Sequence, residues 1–467
     1  MRNPRPGQPA VGTIIGFLNL VITLGVLVPV FVSRQDQLSS QVVAGPQASL
    51  QYQAQYSALT TSVVDNGDNS VEAAIGAFYS YVPLPTGVTF VSIVDGVVTS
   101  RTYDPAVEAL RIWYVDGIQN LTIDVQAVAE GLDFRRGTES SLGAILFPEL
   151  LYVGGGCYFE LGLLTHTLDL PKLQICNDGF TFKSAFIPST ASSFTHLDMP
   201  ELQRVGGGLE IRLDTLVSID LPVLSYVAEG FGISACPQLL ELNTPALAYT
   251  GGFGLGSGVG MLPAASFPNL VKVAGGFSLS ATAITNFSVP LLEETGTLQV
   301  SSCNALTSLA FPSLRRVTST QIFFFNTADA LLTLDMPVFE DASTAPTFRI
   351  QARNLVTLNM PALVQTHPTS SILLIPADGT LQNLVFGTVG VTKRISSTLT
   401  ISNQALTEAS VNRMLSILVS LDGTNGTTLW GAGHTVNLSG GTSAAPTGQG
   451  IVDAGILTGR GATVTTN

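Results

Sequence analysis

The chain has 467 residues, 45% of them hydrophobic and only 11% charged, with 46 glycines and 25 prolines. A sequence so apolar, so rich in turn formers and so poor in Lys, Arg and Glu points to β-structure with many turns rather than to helices with charged faces. The formal net charge of -13 repels phosphate backbones, no local cluster of Lys or Arg opposes it, and no nucleic-acid partner is expected.

After a short tail (residues 1–10), residues 11–32, "VGTIIGFLNLVITLGVLVPVFV", run without a charge. At about 1.5 Å per residue this run is long enough to cross a hydrocarbon core of about 30 Å, so a transmembrane anchor in a lipid bilayer is expected. "SRQDQ" follows directly with no small-residue cleavage site, which favours an uncleaved anchor over a signal peptide. Arg2 and Arg5 before the span, against Arg34 offset by Asp36 after it, lean toward a single-pass protein with its C-terminal bulk outside. Gly12 and Gly16 form a GxxxG of the kind that lets helices approach, although glycine is frequent in spans generally. Residues 33–74, rich in Gln, Ser and Ala, read as a polar stalk, and a homo-oligomer formed through anchor or stalk is left open. Residues 75–140 carry β-branched runs with turn signals at Asp95-Gly96 and Asp116-Gly117, consistent with a small β-rich module or with irregular first coils of a larger array.

From Pro148 a repeat dominates. Prolines at 148, 171, 200, 222, 245, 268, 290, 312, 337 and 361 are spaced 22 to 29 residues apart, and two residues after each stands Leu, or Phe at 339. Three before each comes another apolar column, from Ile145 and Leu168 through Leu197 and Ile219 to Leu334 and Leu358. A polar position flanked by apolar ones, as in "HLDM", gives the in-out-in alternation of a short strand with one buried face. Valine recurs five residues after several of these prolines, then glycine, then a second alternating run such as "GLEIRL" or "GFGISA". A unit of this length cannot bury its own apolar face, so about ten coils over residues 141–403 are expected to stack into a solenoid. Proline would close a strand or turn a corner, and glycine would supply unusual backbone angles at the next corner.

"LDMPELQRVGGGLEI" and "LTSLAFPSLRRV" resemble the leucine-rich-repeat-like solenoids of receptor L domains and of fungal and bacterial surface proteins, over about residues 140–400. That resemblance implies a binding or adhesion scaffold rather than an enzyme. The interval from 171 to 200, with an insertion around "KSAFIPSTASS", and "VTSTQIFFFNTADA", which lacks the glycine, depart from the pattern. Insertions in repeat arrays map to exposed loops, so these irregular coils are the better places to look for local function.

From Leu406 the pattern changes. "LTEASVNRMLSILVSLD" places Val411, Met414, Leu415 and Leu418 on one helical face with Thr407 as N-cap. "GTNGTTLWGAGHTVNLSGG" reads as strand and turn, "TGQGIVDAGILTGRG" as a short helix closed by Gly461, and "ATVTT" as a last strand. Residues 404–467 thus suit a small α/β cap over the open end of the solenoid. The helix, "NLSGGTSAAPTGQG" and "RGATVTTN" resemble a C-terminal module of viral, phage and bacterial repeat proteins, which implies a surface-displayed structural protein and, among such proteins, a virion component.

The chemical motifs are weak. "GTSAAP" (441–446) looks like a subtilisin-type serine motif but is one residue short of its spacing, and Asp422, His434 and Ser443 lie too close in sequence for a triad built from distant elements. "LPTG" at Leu84–Gly87 lacks the rest of a sortase signal. The glycine triplets at 154–156 and 206–208 have neither the Lys-Ser/Thr nor the helix of a phosphate loop, which leaves turn chemistry. Cys157, Cys176, Cys236 and Cys303 contain no CxxC, and the histidines make no ligand set, so neither zinc nor any other cofactor is expected. Cys176 takes a position in the valine column. Cys236 and Cys303 fall three coils apart, too far to pair, and Cys157 and Cys176 sit on adjacent coils at different offsets, which disfavours a bond without excluding one.

The polar column between the two apolar ones is the candidate ligand face: Asp169, Asp198, Asp220, Asn243, Asp335 and Asn359. In register, the first three carboxylates would stack about 4.8 Å apart, giving a solvated stripe or, less favourably, a weak cation or ligand face. The expected fold class is mainly β: a leucine-rich-repeat-like β-solenoid with an N-terminal transmembrane helix and a small α/β C-terminal cap. The expected function is that of a membrane-anchored, non-catalytic solenoid displayed on a virion membrane or a cell surface, with a structural, assembly or attachment role and a protein or glycan ligand on its face. The alternatives are a polysaccharide-active β-helix enzyme, which would need carboxylates clustered with Arg or Lys on neighbouring coils, and an adhesin or receptor of a cellular organism.

Overall fold

The computed structural model describes residues 88–94, 97–103, 110–113, 120–123, 126–128, 130–135, 143–161, 165–184, 194–256, 258–280, 283–318, 323–326, 328–369, 371–374 and 379–467. All of them lie within one compact unit, Val82–Asn467. The apolar span at 11–32, the stalk at 33–74, the "LPTG" segment and the insertion at 185–193 fall outside the described residues. Among the described residues, no helix is long and apolar enough to cross a membrane.

The repeat folds as a parallel β-solenoid of about ten turns. The coil built on "FTHLDMPELQRVGGGLEIRL" shows why. His196–Asp198 forms a three-residue strand, Arg204–Val205 a two-residue strand and Leu209–Arg212 a third. Leu197, Met199, Leu202, Val205, Leu209 and Ile211 all point inward and are essentially inaccessible to solvent. The first strand stacks in parallel on Ser218–Asp220, which stacks on Glu241–Asn243. The other two stack on the bent strand Tyr226–Ile233, and that on Tyr249–Leu255. One apolar core runs continuously from Ile123 to Ala462. Phe231, Phe253 and Phe277 stack down it with centroids 5.9 and 4.8 Å apart.

The proline column has a specific job. In successive coils the leucine two residues after the proline donates its N–H to the carbonyl one residue before it, as in Leu202 to Met199, Leu224 to Leu221, Leu270 to Phe267 and Leu314 to Phe311. That is a β-turn with proline at its second position, where the fixed φ suits the turn and the missing N–H costs nothing. The opposite corner uses the same device, with Leu216 bonding Leu213, Leu239 bonding Cys236 across Pro237, and Leu306 bonding Cys303.

The glycine corner works differently from the sequence-based expectation. None of Gly206, Gly207, Gly208, Gly251, Gly275 or Gly296 has a positive φ. What glycine supplies is room. A Cβ on Gly206 would overlap the carbonyl of Asn177, one on Gly251 that of Glu229, and one on Gly296 that of Gly275. Coils approach each other here backbone to backbone, which only an absent side chain permits.

Ahead of the proline repeat, Val88–Val94 and Val97–Tyr103 pair antiparallel with Val94 opposite Val97, the arrangement that the Asp95-Gly96 signal predicts. Leu110–Trp113 and Asn120–Thr122 already stack in parallel on solenoid strands, Leu132–Arg135 and Ala144–Leu146. At the other end, helix α1 (Glu408–Ser420) begins at Thr407, whose hydroxyl accepts from the Ser410 N–H, and buries Val411, Met414, Leu415 and Leu418 as the periodicity predicts. It lies beside Asn383–Phe386 and satisfies that strand's open edge: Leu384 N–H donates to Ser410 Oγ at 3.0 Å, and Ser410 Oγ donates to the Gln382 carbonyl at 2.9 Å. The long sheet continues through Thr435–Asn437 and Thr463–Thr465, separated by helix α2 (Gln449–Gly459) and Gly461 at φ +86°.

Truncating a buried rung, Leu202→Ala, is expected to destabilise the solenoid by about 2–5 kcal/mol, and Gly206→Ala by about 1–3 kcal/mol, because the new methyl group must displace a backbone carbonyl. Leu240→Ala, at a position 43% exposed, is expected to change stability by less than about 1 kcal/mol. Denaturant unfolding of the three variants beside the parent checks this order.

Candidate functional site

The acidic column lies on the short-strand face. Asp198, Asp220 and Asn243 occupy one register position on three successive coils, and Asp335 and Asn359 occupy it on two later ones. Asp169 ends the strand Thr167–Asp169 and is exposed. Between the two blocks, Ser266, Ser288 and Ala310 hold the equivalent places, so the stripe is interrupted. Each block closes with an amide: Asn243 Nδ2 donates to Asp220 Oδ1 at 2.7 Å and Asn359 Nδ2 to Asp335 Oδ1 at 2.7 Å. Partial burial, with the negative charges of Asp220 and Asp169, raises the Asp198 carboxyl above its usual value. Among the described residues, no group of three or more His, Cys, Asp or Glu is arranged to hold a metal ion.

A second outward column, four residues after the prolines, escaped the sequence reading. Strand register aligns Ile175, Arg204, Tyr226, Tyr249, Lys272 and Glu294 on consecutive coils, and then Arg316 and Asp341. The Arg204 guanidinium lies 4.1 Å from the centroid of the Tyr226 ring, and Tyr226 stacks on Tyr249 at 4.9 Å with the rings 9° from parallel. Arg204 thus covers one face of Tyr226, and the two tyrosine rings cover each other, which leaves these faces paired rather than an open stacking platform. Below them Glu294 takes Lys272 at 2.8 Å and Arg316 at 2.5 Å, and Arg315 pairs with Glu340 at 3.0 Å. The same residues line a shallow cleft of about 350 Å³.

Here, then, carboxylates do gather with Lys and Arg on neighbouring coils. Their electrostatics are self-contained. Burial alone would raise the Glu294 carboxyl, but hydrogen bonds and charge from Lys272 and Arg316 outweigh it and hold the carboxyl below its usual range. A general acid or base works best with a pKa near the operating pH, and Glu294 is driven away from it.

The serine motif has structural roles. Ser443 is buried, accepting from the Leu406 N–H and donating to the Gln404 carbonyl. Asp422 accepts from Thr424 and Thr427 within its own turn, and His434 packs at 5.3 Å from Trp430. The glycine triplets serve close coil packing. All four cysteines are free thiols, as expected for Cys236 and Cys303 and in line with the disfavoured bond between Cys157 and Cys176, although these two bring their sulfurs to 3.4 Å despite their different offsets. No protein-family model, curated protein or solved structure matches the chain.

The two acidic sites should respond to pH in opposite directions. A folded-state pKa raised at Asp198 costs stability above that pKa, and the cost is relieved as pH falls through it toward the ordinary value. Asp198→Asn is therefore expected to raise the melting temperature near about pH 7 and leave it unchanged near about pH 3. A lowered pKa at Glu294 contributes stability above the ordinary carboxylate pKa that is lost as pH falls through the folded value. Glu294→Gln is expected to lower the melting temperature near about pH 7, with the difference vanishing in strong acid. Thermal unfolding across pH reads both.

Proposed function

We propose that this protein is a surface-displayed, non-catalytic solenoid, anchored in a lipid bilayer through residues 11–32, with a structural, assembly or attachment role. A virion surface protein fits this reading, as does an adhesin or receptor of a cellular organism. The observation that carries it is the form of the exposed faces: two long outward columns, repeated coil after coil. In one, charges and rings are already paired with one another; in the other, carboxylates stand in two blocks along the short-strand face. Solenoids present surfaces of this kind to extended partners, and a protein or glycan ligand on the acidic face suits them. The uncharged 22-residue run near the N-terminus supplies the display reading.

The second reading, a polysaccharide-active enzyme, is favoured by one observation, the Glu294, Glu340 and Asp341 carboxylates beside Lys272, Arg315 and Arg316. The depressed Glu294 carboxyl speaks against proton transfer by that residue.

Two measurements separate the readings. Antibodies to the solenoid should label intact particles or cells without permeabilisation; labelling that requires permeabilisation would reject display. In a glycan panel, retention without product release is expected. Cleavage that disappears in Glu294→Gln while binding persists would replace the scaffold reading with the enzymatic one.

A further inference from the structure

We propose that Cys157 and Cys176 form a disulfide that staples the first two proline-marked coils together, an inference that does not depend on the display reading. Cys157 opens the strand Cys157–Leu161, and Cys176 closes the two-residue strand Ile175–Cys176 on the next coil. Cys176 lies opposite Val153, and Cys157 opposite Phe180. The glycine corner at 154–156 brings the two positions face to face inside the core, where both side chains are buried and the sulfurs stand 3.4 Å apart. A disulfide needs about 2.0 Å, so about 1.4 Å of movement, shared between two side chains, closes it. Cys236 and Cys303, three coils apart at the opposite corner, are separated by roughly 14 Å at a rise of about 4.8 Å per coil and cannot do the same.

The pairing is particular to these coils. On later coils the equivalent cross-coil positions are apolar or threonine: Phe180 with Val205, Leu209 with Val227, Phe231 with Thr250. Thr250 Oγ1 donates to the Gly252 carbonyl, and Cys176 Sγ makes the weaker version of that contact to the Asp178 carbonyl at 3.5 Å. A role limited to that contact would account for Cys176 but not for a second sulfur placed against it. Forming the bond forfeits only weak S–H contacts and closes a loop between residues 19 apart in sequence.

The chemistry is thiol–disulfide exchange with a small disulfide such as oxidised glutathione. One protein thiolate attacks a glutathione sulfur, releasing one glutathione thiol. The second protein thiolate then attacks the mixed disulfide and releases the other. Two protein thiols are oxidised by two electrons, and one glutathione disulfide is reduced to two thiols. Burial, hydrogen bonding to Cys176 and nearby negative charge raise the Cys157 thiol well above its ordinary value, so exchange in the folded protein is slow and the bond is expected to close as the coils dock.

The test is to refold the full chain in a glutathione redox buffer, block and count thiols in denaturant, and map peptides without reduction. Two of the four cysteines are expected to titrate, with one linked peptide joining Cys157 to Cys176 and a melting temperature about 2–5 °C above that of protein refolded with reductant. Four titratable thiols, glutathione adducts without a cross-link, or a linkage involving Cys236 or Cys303 would overturn the proposal. Mapping chain exported to an oxidising compartment, with thiols blocked at lysis, repeats the test without refolding and must return the same pair.

Discussion

The constraint on which this fold depends is that every coil must hand its backbone hydrogen bonds to the next. A chain of such bonds runs along one edge of the long sheet: Leu151 N–H to the Gln126 carbonyl, Gln174 to Leu151, Gln203 to Gln174, then Ser225, Ala248, Val271, Glu293, Arg315, Glu340, Val364 and Lys393 each to its predecessor, and finally Thr428 to Lys393. A parallel ladder of this kind requires coils of matched path, since a coil that bulged or fell short would leave buried N–H and carbonyl groups unpaired at a cost of about 1–3 kcal/mol each. The proline turns and the glycine corner serve that requirement. The turn fixes where each strand ends, and the absent side chains let neighbouring coils close to hydrogen-bonding distance.

The same constraint explains why the ends look unlike the middle. An interior coil has a partner on both sides, whereas a terminal strand exposes a row of backbone groups that invites pairing with other chains. Helix α1 answers this for the short-strand face by turning a serine hydroxyl toward the edge, where it both accepts and donates, while its apolar side closes over the core. The long sheet is extended instead by Thr435–Asn437 and Thr463–Thr465, and its buried residues shrink to single side chains such as Val436 as the core tapers. A helix suits this position because its own backbone bonds are internal, so it can cover apolar surface without presenting a new edge.

Much of this architecture is legible in the sequence because it rests on apolar side chains at regular intervals. The columns through Leu197, Pro200, Leu202 and Val205, and the face of α1 from Val411 to Leu418, are patterns in residue type, and burial follows from them directly. The paired ladder around Glu294 is not legible in the same way. Lys272, Glu294, Arg316 and Asp341 are 22 to 25 residues apart and change sign at each step, so they read as scattered surface charges until strand register aligns them. Glycine at the corner is legible as a requirement, but the requirement is space rather than a dihedral angle. Inter-coil distance is a property of two segments, and neither segment's own sequence records it. The approach of the Cys157 and Cys176 sulfurs to 3.4 Å is hidden for the same reason, because offset along the coil is not distance in space.

The two outward columns also differ in what they leave for a partner. On the long sheet the charges around Glu294 already have opposite neighbours, and exposed pairs of this kind contribute only about 0–1 kcal/mol each, so a ligand that displaced them would have to replace hydrogen bonds already made. On the short-strand face, Asp220 and Asp335 have amide partners, whereas Asp198, partly buried and beside the negative charges of Asp220 and Asp169, has its carboxyl raised above the usual value. A cationic or hydrogen-bond-donating group brought to Asp198 would relieve repulsion rather than compete with an existing pair. In the proposed scaffold a cationic ligand would therefore meet least competition on the acidic face around Asp198, whereas the charged ladder around Glu294 pairs neighbouring coils with one another.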